Sequence, residues 1–338
     1  MKYIHDIYGY KALFDDKTGL LLRYEPKNEH LFWKQSGPEL LDVSITNYCE
    51  KGCDFCYRRS NPSGKSISID LYKKILQEAK QSCVTQIALG GGNPNQHPYF
   101  INILKMTREQ GIIPTYTTNG QGMTDEIYVA SSKYAGAVAV SWYEPYQDAL
   151  NVIDKCNHYN ITVNLHYVLN AKNISNAQKL IQSSYTNKVN SIIFLNYKPV
   201  GSSKRQILQY NQELKNFLEN AINNKSCKIG FDSCMISHLA QHKDLININS
   251  VDFCEAARFS AFISETGLVY PCSFMCGAGA SGHSIKNKSL IDIWQNSFDF
   301  IKIRKKILYG DNKCSSCNFF DFCHSGCPYF EINCKFVT

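Results

Sequence analysis

The sequence predicts an α/β fold, a parallel barrel (closed or partial) of six strand–helix units with a cysteine-rich domain after it. Two observations predict the barrel and a third predicts the cysteine-rich domain. Between Leu41 and Asn223, short apolar runs alternate with helix-like segments six times. The runs are rich in Val, Ile and Tyr and nearly continuous in hydrophobicity, as parallel strands buried on both faces must be. Past residue 224 the alternation stops, helices shorten and cysteines crowd the chain.

The strand candidates are Leu41–Asn47, Thr85–Gly90, Ile112–Thr117, Ala135–Ser141, Ile161–Leu169 and Asn190–Asn196. The first helix starts behind Ser68, whose hydroxyl suits an N-cap, and runs through IDLYKKILQEAKQ. The others fall at Pro98–Gln110, Thr124–Ser132, Pro145–His158, Ile174–Ser183 and Arg205–Asn223. In such a fold, chemistry gathers on loops at the C-terminal ends of the strands. Ahead of the barrel a hairpin is expected, turning at Phe14-Asp-Asp-Lys-Thr-Gly19. The expected organisation is therefore a hairpin extension at 1–40, the barrel at 41–224 and the cysteine-rich domain at 225–338.

A net charge of +7, carried by scattered Lys and Arg, reads as solvated helix faces, and no nucleic-acid partner is expected. The N-terminus lacks the basic start and apolar run of a signal peptide, and no apolar stretch is long enough to span a bilayer. No membrane association is expected, and the expected compartment is the cytoplasm. Fifteen cysteines are many for such a chain. Disulfides belong mostly to small secreted domains, so metal binding is the expected use of these thiols. The loop-rich region after 224 needs cross-linking of that kind to hold together.

The loop after the first strand reads Thr46-Asn-Tyr-Cys49-Glu-Lys-Gly-Cys53-Asp-Phe55-Cys56-Tyr57. Three thiolates so spaced can hold one face of a cuboidal iron–sulfur cluster and leave one iron without a protein ligand. An open metal position is what a catalytic centre requires, and a zinc knuckle is the structural alternative. The spacing, with the aromatic Phe55 just before the last cysteine, resembles the signature of radical S-adenosylmethionine (radical SAM) enzymes. That resemblance implies a partial (β/α)6 TIM-like barrel. It also implies a [4Fe–4S] cluster on Cys49, Cys53 and Cys56, whose open iron holds S-adenosyl-L-methionine. It continues at Gly91-Gly92-Asn93-Pro94, where the family usually reads Gly-Gly-Glu-Pro and holds the cofactor's amino group. Asn93 keeps an acceptor there but loses the charge. Thr118 and Asn119 after strand three, and Ser141 ending strand four, match further cofactor contacts of the family. The implied cofactor-binding set is Phe55, Gly91, Gly92, Asn93, Thr118, Asn119 and Ser141. His166 is read as a core histidine.

A second array opens with Cys254, followed after twelve residues by Gly267 and after four more by Cys272. Cys314-x2-Cys317-x5-Cys323-x3-Cys327 and, after six residues, Cys334 complete it. Zinc ribbons also use cysteine-x2-cysteine pairs. The whole array resembles the seven-cysteine SPASM extension of radical SAM enzymes that modify peptides and proteins. It implies two auxiliary [4Fe–4S] clusters, making three clusters with the catalytic one. The first would sit on Cys254, Cys272 and Cys327, the second on Cys314, Cys317, Cys323 and Cys334. Cys276, four residues past Cys272, is the candidate fourth ligand of the first, or that position is open. Cys83, Cys156, Cys227 and Cys234 fit neither array and read as small core hydrophobes. Cys227, Cys234 and Cys276 are alternatively hydrogen donors to a substrate radical.

The resemblance implies an oxidoreductase that generates a 5′-deoxyadenosyl radical and modifies a peptide, by crosslinking, epimerisation or oxidation, during ribosomal peptide (RiPP) maturation. The alternatives are maturation of a protein partner such as a sulfatase, radical chemistry on a small molecule, and plain electron transfer. An electron donor such as flavodoxin or ferredoxin is implied. The first 40 residues are short for a winged-helix leader-binding domain. Recognition by strand addition at the hairpin edge, or through a separate protein, is therefore expected.

Overall fold

The computed structural model describes residues 1–17, 19–24, 31–202, 205–247, 250–314 and 316–330. Thr18 in the expected hairpin turn and the candidate ligand Cys334 lie outside the described residues. Strands β1 (Lys2–His5), β2 (Lys11–Phe14) and β3 (Leu21–Arg23) form a small antiparallel sheet in which Phe14 pairs with Leu21, as the hairpin requires. Alternation along β2 sends Ala12 and Phe14 inward and Leu13 outward.

The main sheet is built from β4 (Leu40–Thr46), β5 (Gln86–Gly91), β6 (Ile113–Thr118), β7 (Ala137–Ser141), β8 (Val163–Leu169) and β9 (Ser191–Asn196), paired in parallel in chain order. Each bound lies within two residues of its sequence expectation. Helices α1 (Ile69–Gln81), α2 (Phe100–Glu109), α3 (Asp125–Tyr134), α4 (Gln147–His158) and α5 (Ile174–Ile181) connect the strands. In α1 the Ser68 hydroxyl accepts the Leu71 N–H at 3.2 Å, and Tyr72, Ile75, Leu76 and Ala79 form the buried face. Capping and helical periodicity therefore agree.

Two expectations are corrected. The sixth helix, α6 (Gln212–Ile222), does not begin at Arg205. Asn211 caps it through the Leu214 N–H, while the Arg205 guanidinium pairs with Asp54 at 2.9 Å and lies 3.9 Å from the Phe55 ring centre. The parallel series also does not stop at six. β10 (Lys228–Phe231) pairs with β9, a seventh parallel strand whose four residues include a glycine and are too few to stand out as an apolar run.

After the short α7 (Ile236–Leu239), the chain crosses to the other side of the sheet. There β11 (Ser260–Ile263) pairs in parallel with β4, and β12 (Leu268–Tyr270) and β13 (His283–Ser284) extend the sheet antiparallel. Helices α8 (Ser273–Gly277), α9 (Leu290–Asn296), α10 (Phe298–Tyr309) and α11 (Phe320–Cys323) follow among the described residues. Buried Trp294 donates to the Lys34 carbonyl at 2.7 Å. Arg304 donates to the carbonyls of Ala257 and Trp294, both at 2.6 Å, and stacks 3.6 Å from the Trp33 ring centre. Burial pushes its guanidinium down to about 9. Among the described residues, no helix is long and apolar enough to cross a membrane.

Candidate functional site

Beyond β4 the chain folds back over the strand end. Asn47 donates to the Lys65 carbonyl at 2.7 Å and Cys49 to that of Asn61 at 3.2 Å, while Cys56 donates to Cys53 at 3.3 Å. This compact loop turns Cys49, Cys53 and Cys56 toward one cavity of about 420 Å³. N–H groups point at two of the sulfurs, Ser60 N at Cys56 Sγ and Asn119 Nδ2 at Cys49 Sγ, both at 3.4 Å. The Tyr143 hydroxyl is hydrogen-bonded to Cys53 and Ser141. Three thiols on one wall, each with a hydrogen-bonding neighbour, fit a cluster bound as thiolates. Phe55 also faces the cavity, held edge-on against Tyr143 with ring centres 5.6 Å apart.

The glycine motif packs on this loop. Gly92 donates to the Thr46 carbonyl at 2.6 Å and Asn93 to that of Tyr48 at 2.9 Å. A Cβ on Gly91 (φ +109) would stand 2.1 Å from the Thr46 oxygen, and one on Gly92 would stand 2.0 Å from that of Tyr48. Only glycine permits that approach. Gly91, Gly92, Thr118, Asn119 and Ser141 line the cavity with Phe55, but Asn93 sits behind it, 1% exposed. Its Oδ1 accepts from Thr118 Oγ1 and Asn119 N, each at 3.2 Å, and its Nδ2 donates to the Gln121 carbonyl at 2.8 Å. The acceptor expected to face the cofactor is thus engaged within the protein.

Sequence reasoning missed other residues of the cavity wall, Asp42, Tyr143, Lys198 and Asp232, and read His166, which also lines it, as core. Burial pushes His166 down to about 4, and burial with Glu255 nearby pushes Asp42 up to about 6. The available signal was a polar side chain inside an apolar run, LLDVSIT for Asp42 and VNLHYVL for His166. Lys198 is buried, with Nζ 3.4 Å from Asp232 Oδ2, 3.3 Å from the Asn196 carbonyl and 3.9 Å from the Phe274 ring centre.

At this end of the cavity lies a second thiol group. Cys234, on the turn after Asp232, shares a side-chain hydrogen bond with Cys327 and another with Lys198. Cys254 and Cys272 stand within electrostatic reach of both. The structure thus brings Cys234 to Cys254, Cys272 and Cys327. Cys276, the candidate fourth ligand, is engaged elsewhere in this structure: its Sγ accepts from Arg58 at 2.6 Å and is hydrogen-bonded to the Tyr270 hydroxyl. Arg58 is fixed in turn by Glu265, at 2.6 Å. Cys314 and Cys323 are buried in the C-terminal turns and Cys317 is partly exposed. Cys227 lies away from both groups, beside β10.

Residues 43–143 match the Radical SAM superfamily, and residues 254–318 match the iron–sulfur cluster-binding domain named SPASM. The first match takes in the cysteine loop and the glycine motif that line the cavity. The chain therefore carries a radical SAM domain followed by a SPASM domain, and these domains imply a catalytic [4Fe–4S] cluster with S-adenosylmethionine and auxiliary iron–sulfur clusters. It is 22% identical over 322 residues to mycofactocin maturase MftC of Mycolicibacterium smegmatis, spanning 89% of this chain and 80% of that protein. It is 30% identical over 90 residues to the tungsten-containing aldehyde ferredoxin oxidoreductase cofactor-modifying protein of Pyrococcus furiosus, spanning 26% of this chain and only 25% of that protein. In fold it is similar to Streptococcus suis SuiB, solved with its precursor peptide SuiA, at a TM-score of 0.70 and 21% identity, over 86% of this chain and 72% of that one.

Proposed function

We propose that this enzyme modifies a peptide by radical chemistry, crosslinking, epimerising or oxidising it as in ribosomal peptide maturation. The observation that carries the proposal is a single cavity lined by Cys49, Cys53 and Cys56 and also by Lys198, Asp232 and Ser273, which neighbour Cys234 and Cys272 of the second thiol group. The likeness to mycofactocin maturase along most of both chains, and to a structure that holds a precursor peptide, supports the reading.

Cys49, Cys53 and Cys56 would hold the catalytic cluster and leave one iron for S-adenosylmethionine. When bound, that pair supplies a 5′-deoxyadenosyl radical on one-electron reduction. The rest falls to the chain's own residues. The Ser60 and Asn119 N–H groups stabilise thiolate at Cys56 and Cys49. Gly91 and Gly92 let the loop backbone approach, and Phe55, Thr118, Asn119 and Ser141 surround the cofactor. His166, kept neutral by burial, and the Lys198–Asp232 pair bound the substrate end. Cys234, Cys254, Cys272 and Cys327 would hold the first auxiliary cluster with four thiols. Cys314, Cys317 and Cys323 would hold the second together with Cys334. A flavodoxin or ferredoxin in the cytoplasm would deliver the electron.

The test begins with anaerobically reconstituted protein, expected to hold about twelve irons, four per cluster. Changing Cys49, Cys53 and Cys56 to Ala is expected to remove about four of them and all 5′-deoxyadenosine release. Candidate precursor peptides encoded beside the gene are then co-expressed and weighed by mass spectrometry. Cofactor cleavage with no peptide changed in mass would sink the peptide reading. For the auxiliary site, Cys234→Ala is expected to lose or distort one electron paramagnetic resonance signal, while Cys276→Ala keeps all of them. The reverse result would make Cys276 the ligand.

A further inference from the structure

β10 is the last strand of the parallel series, and among the described residues no strand pairs with its outer edge. Its inner edge is set by geometry: Asp232 N–H donates to the Phe194 carbonyl of β9 at 3.0 Å. In a parallel ladder, a residue's N–H and C=O point to the same side and successive residues alternate. Gly230 therefore faces β9 with Asp232, while Ile229 and Phe231 turn their N–H and C=O groups outward. Both residues line a groove of about 940 Å³ whose lining also includes Leu245, Ile246 and Val251. An open strand edge is a template for another extended backbone.

Two further features say what covers it. Asp232 lines both this groove and the catalytic cavity, so a chain lying along β10 runs into the site. At about 3.3 Å per residue, the four residues of β10 match roughly 13 Å of extended chain. The charge of the groove is also one-sided. Asp252 is taken by Arg23 at 3.0 Å and Arg258 at 3.2 Å, and Asp232 by Lys198. Lys225 and Lys228 are exposed at the groove and, among the described residues, neither is in an ion pair. An occupant therefore meets an open strand edge with positive charge near its N-terminal end.

We infer that an extended, acidic segment of the substrate peptide docks as an added strand on the outer edge of β10, its acidic side chains toward Lys225 and Lys228, and so feeds the modified residue past Asp232 into the cavity. The inference rests on the peptide-modifying reading above and names the surface that reading lacks. It also moves recognition from the N-terminal hairpin to the barrel's open edge.

The test uses holoenzyme and probes of defined sequence, taken from a library of random short peptides selected against it and labelled with fluorescein. The selected peptides are expected to be rich in Asp and Glu and to bind in the micromolar range. Ile229→Pro removes one outward N–H and leaves the ladder to β9 intact. It is expected to weaken binding at least tenfold at unchanged iron content. Lys225→Glu with Lys228→Glu is expected to weaken the same probes about tenfold at low salt. N-methylation of alternate probe residues is independent of any variant's folding. It is expected to abolish binding in one phase and spare it in the other. Equal binding of both N-methyl phases, equal affinity for iron-replete Ile229→Pro, or a library with no binder overturns the docking. The two readings fail separately. Probes that dock on the edge yet gain no mass change with dithionite and S-adenosylmethionine sink peptide modification alone. Peptides that are modified but indifferent to both edge tests sink the docking alone.

Discussion

Between β4 and β9 each strand has a parallel neighbour on both sides, and side chains such as Leu41, Ile87, Val138, Leu165 and Phe194 have no exposed surface. Residues 311–330 are built differently. There the backbone steps through tight turns that close on cysteine carbonyls: Cys317 N–H to Cys314, Phe320 N–H to Cys317, Gly326 N–H to Cys323. Among the described residues of that stretch the one helix, α11, has four residues, and His324 (φ 44) and Ser325 (φ 71) are held in the left-handed region. Left-handed non-glycine residues cost about 1–3 kcal/mol each and persist only where their surroundings over-determine them. A strand ladder with a packed core supplies its own stability, whereas a run of strained turns needs an outside tie. The thiols spaced along it are the groups able to provide one.

Four experiments probe this contrast. The largest effect is expected on cluster removal. Anaerobic treatment with an oxidant and chelator is expected to strip amide exchange protection from residues 311–330 while β4–β9 keep theirs. Loss spread evenly over both regions, measured by mass spectrometry, would show that the two share one source of stability. Next is Phe194→Ala. This fully buried ring lies 5.0 Å from Phe217 and 5.6 Å from Tyr167 by ring centres, so truncation should cost about 3–5 kcal/mol in urea unfolding and leave iron content unchanged. A parallel drop in bound iron would mean that core and clusters are coupled.

Gly92→Ala joins the two kinds of structure, because its new Cβ meets the Tyr48 carbonyl of the cysteine loop. The expected outcome is about 1–3 kcal/mol of destabilisation with a disproportionate loss of catalytic-cluster loading, read by iron analysis and absorbance. Full loading would mean that the loop shifts without cost to its thiols. Smallest is Ser68→Ala, which removes the N-cap of α1 at a residue outside the cavity wall. About 1 kcal/mol of stability should go, with cofactor cleavage at the wild-type rate.

The barrel was legible because its signal is local. A parallel strand covered on both faces must be apolar along its length, and the helices over it must repeat near 3.6 residues. Where a four-residue strand with a glycine carried no such run, as at Lys228–Phe231, it escaped notice. The start of α6 was misread because Arg205 is bound to Asp54 and Phe55, which lie far away in sequence. The same holds in the site. Cys49, Cys53 and Cys56 declare themselves by spacing within one loop, whereas Asp42 and His166 come from inside two different strands and Lys198 and Asp232 from beyond the ends of two others.

The succession of strands and helices, the chemistry of the cysteine loop and the metal-binding character of the C-terminal array are written in the residues themselves. Each rests on periodicity or short spacing, which local backbone geometry converts into structure. Other features exist only in the folded chain. Cys234 stands with Cys254, Cys272 and Cys327 while Cys276 turns to Arg58, Asn93 is engaged behind the cavity wall, and β10 presents an open edge. These depend on which strand ends the sheet brings together and where its pairing stops. No spacing along the chain encodes a meeting of that kind, because it is set by the packing of the whole core.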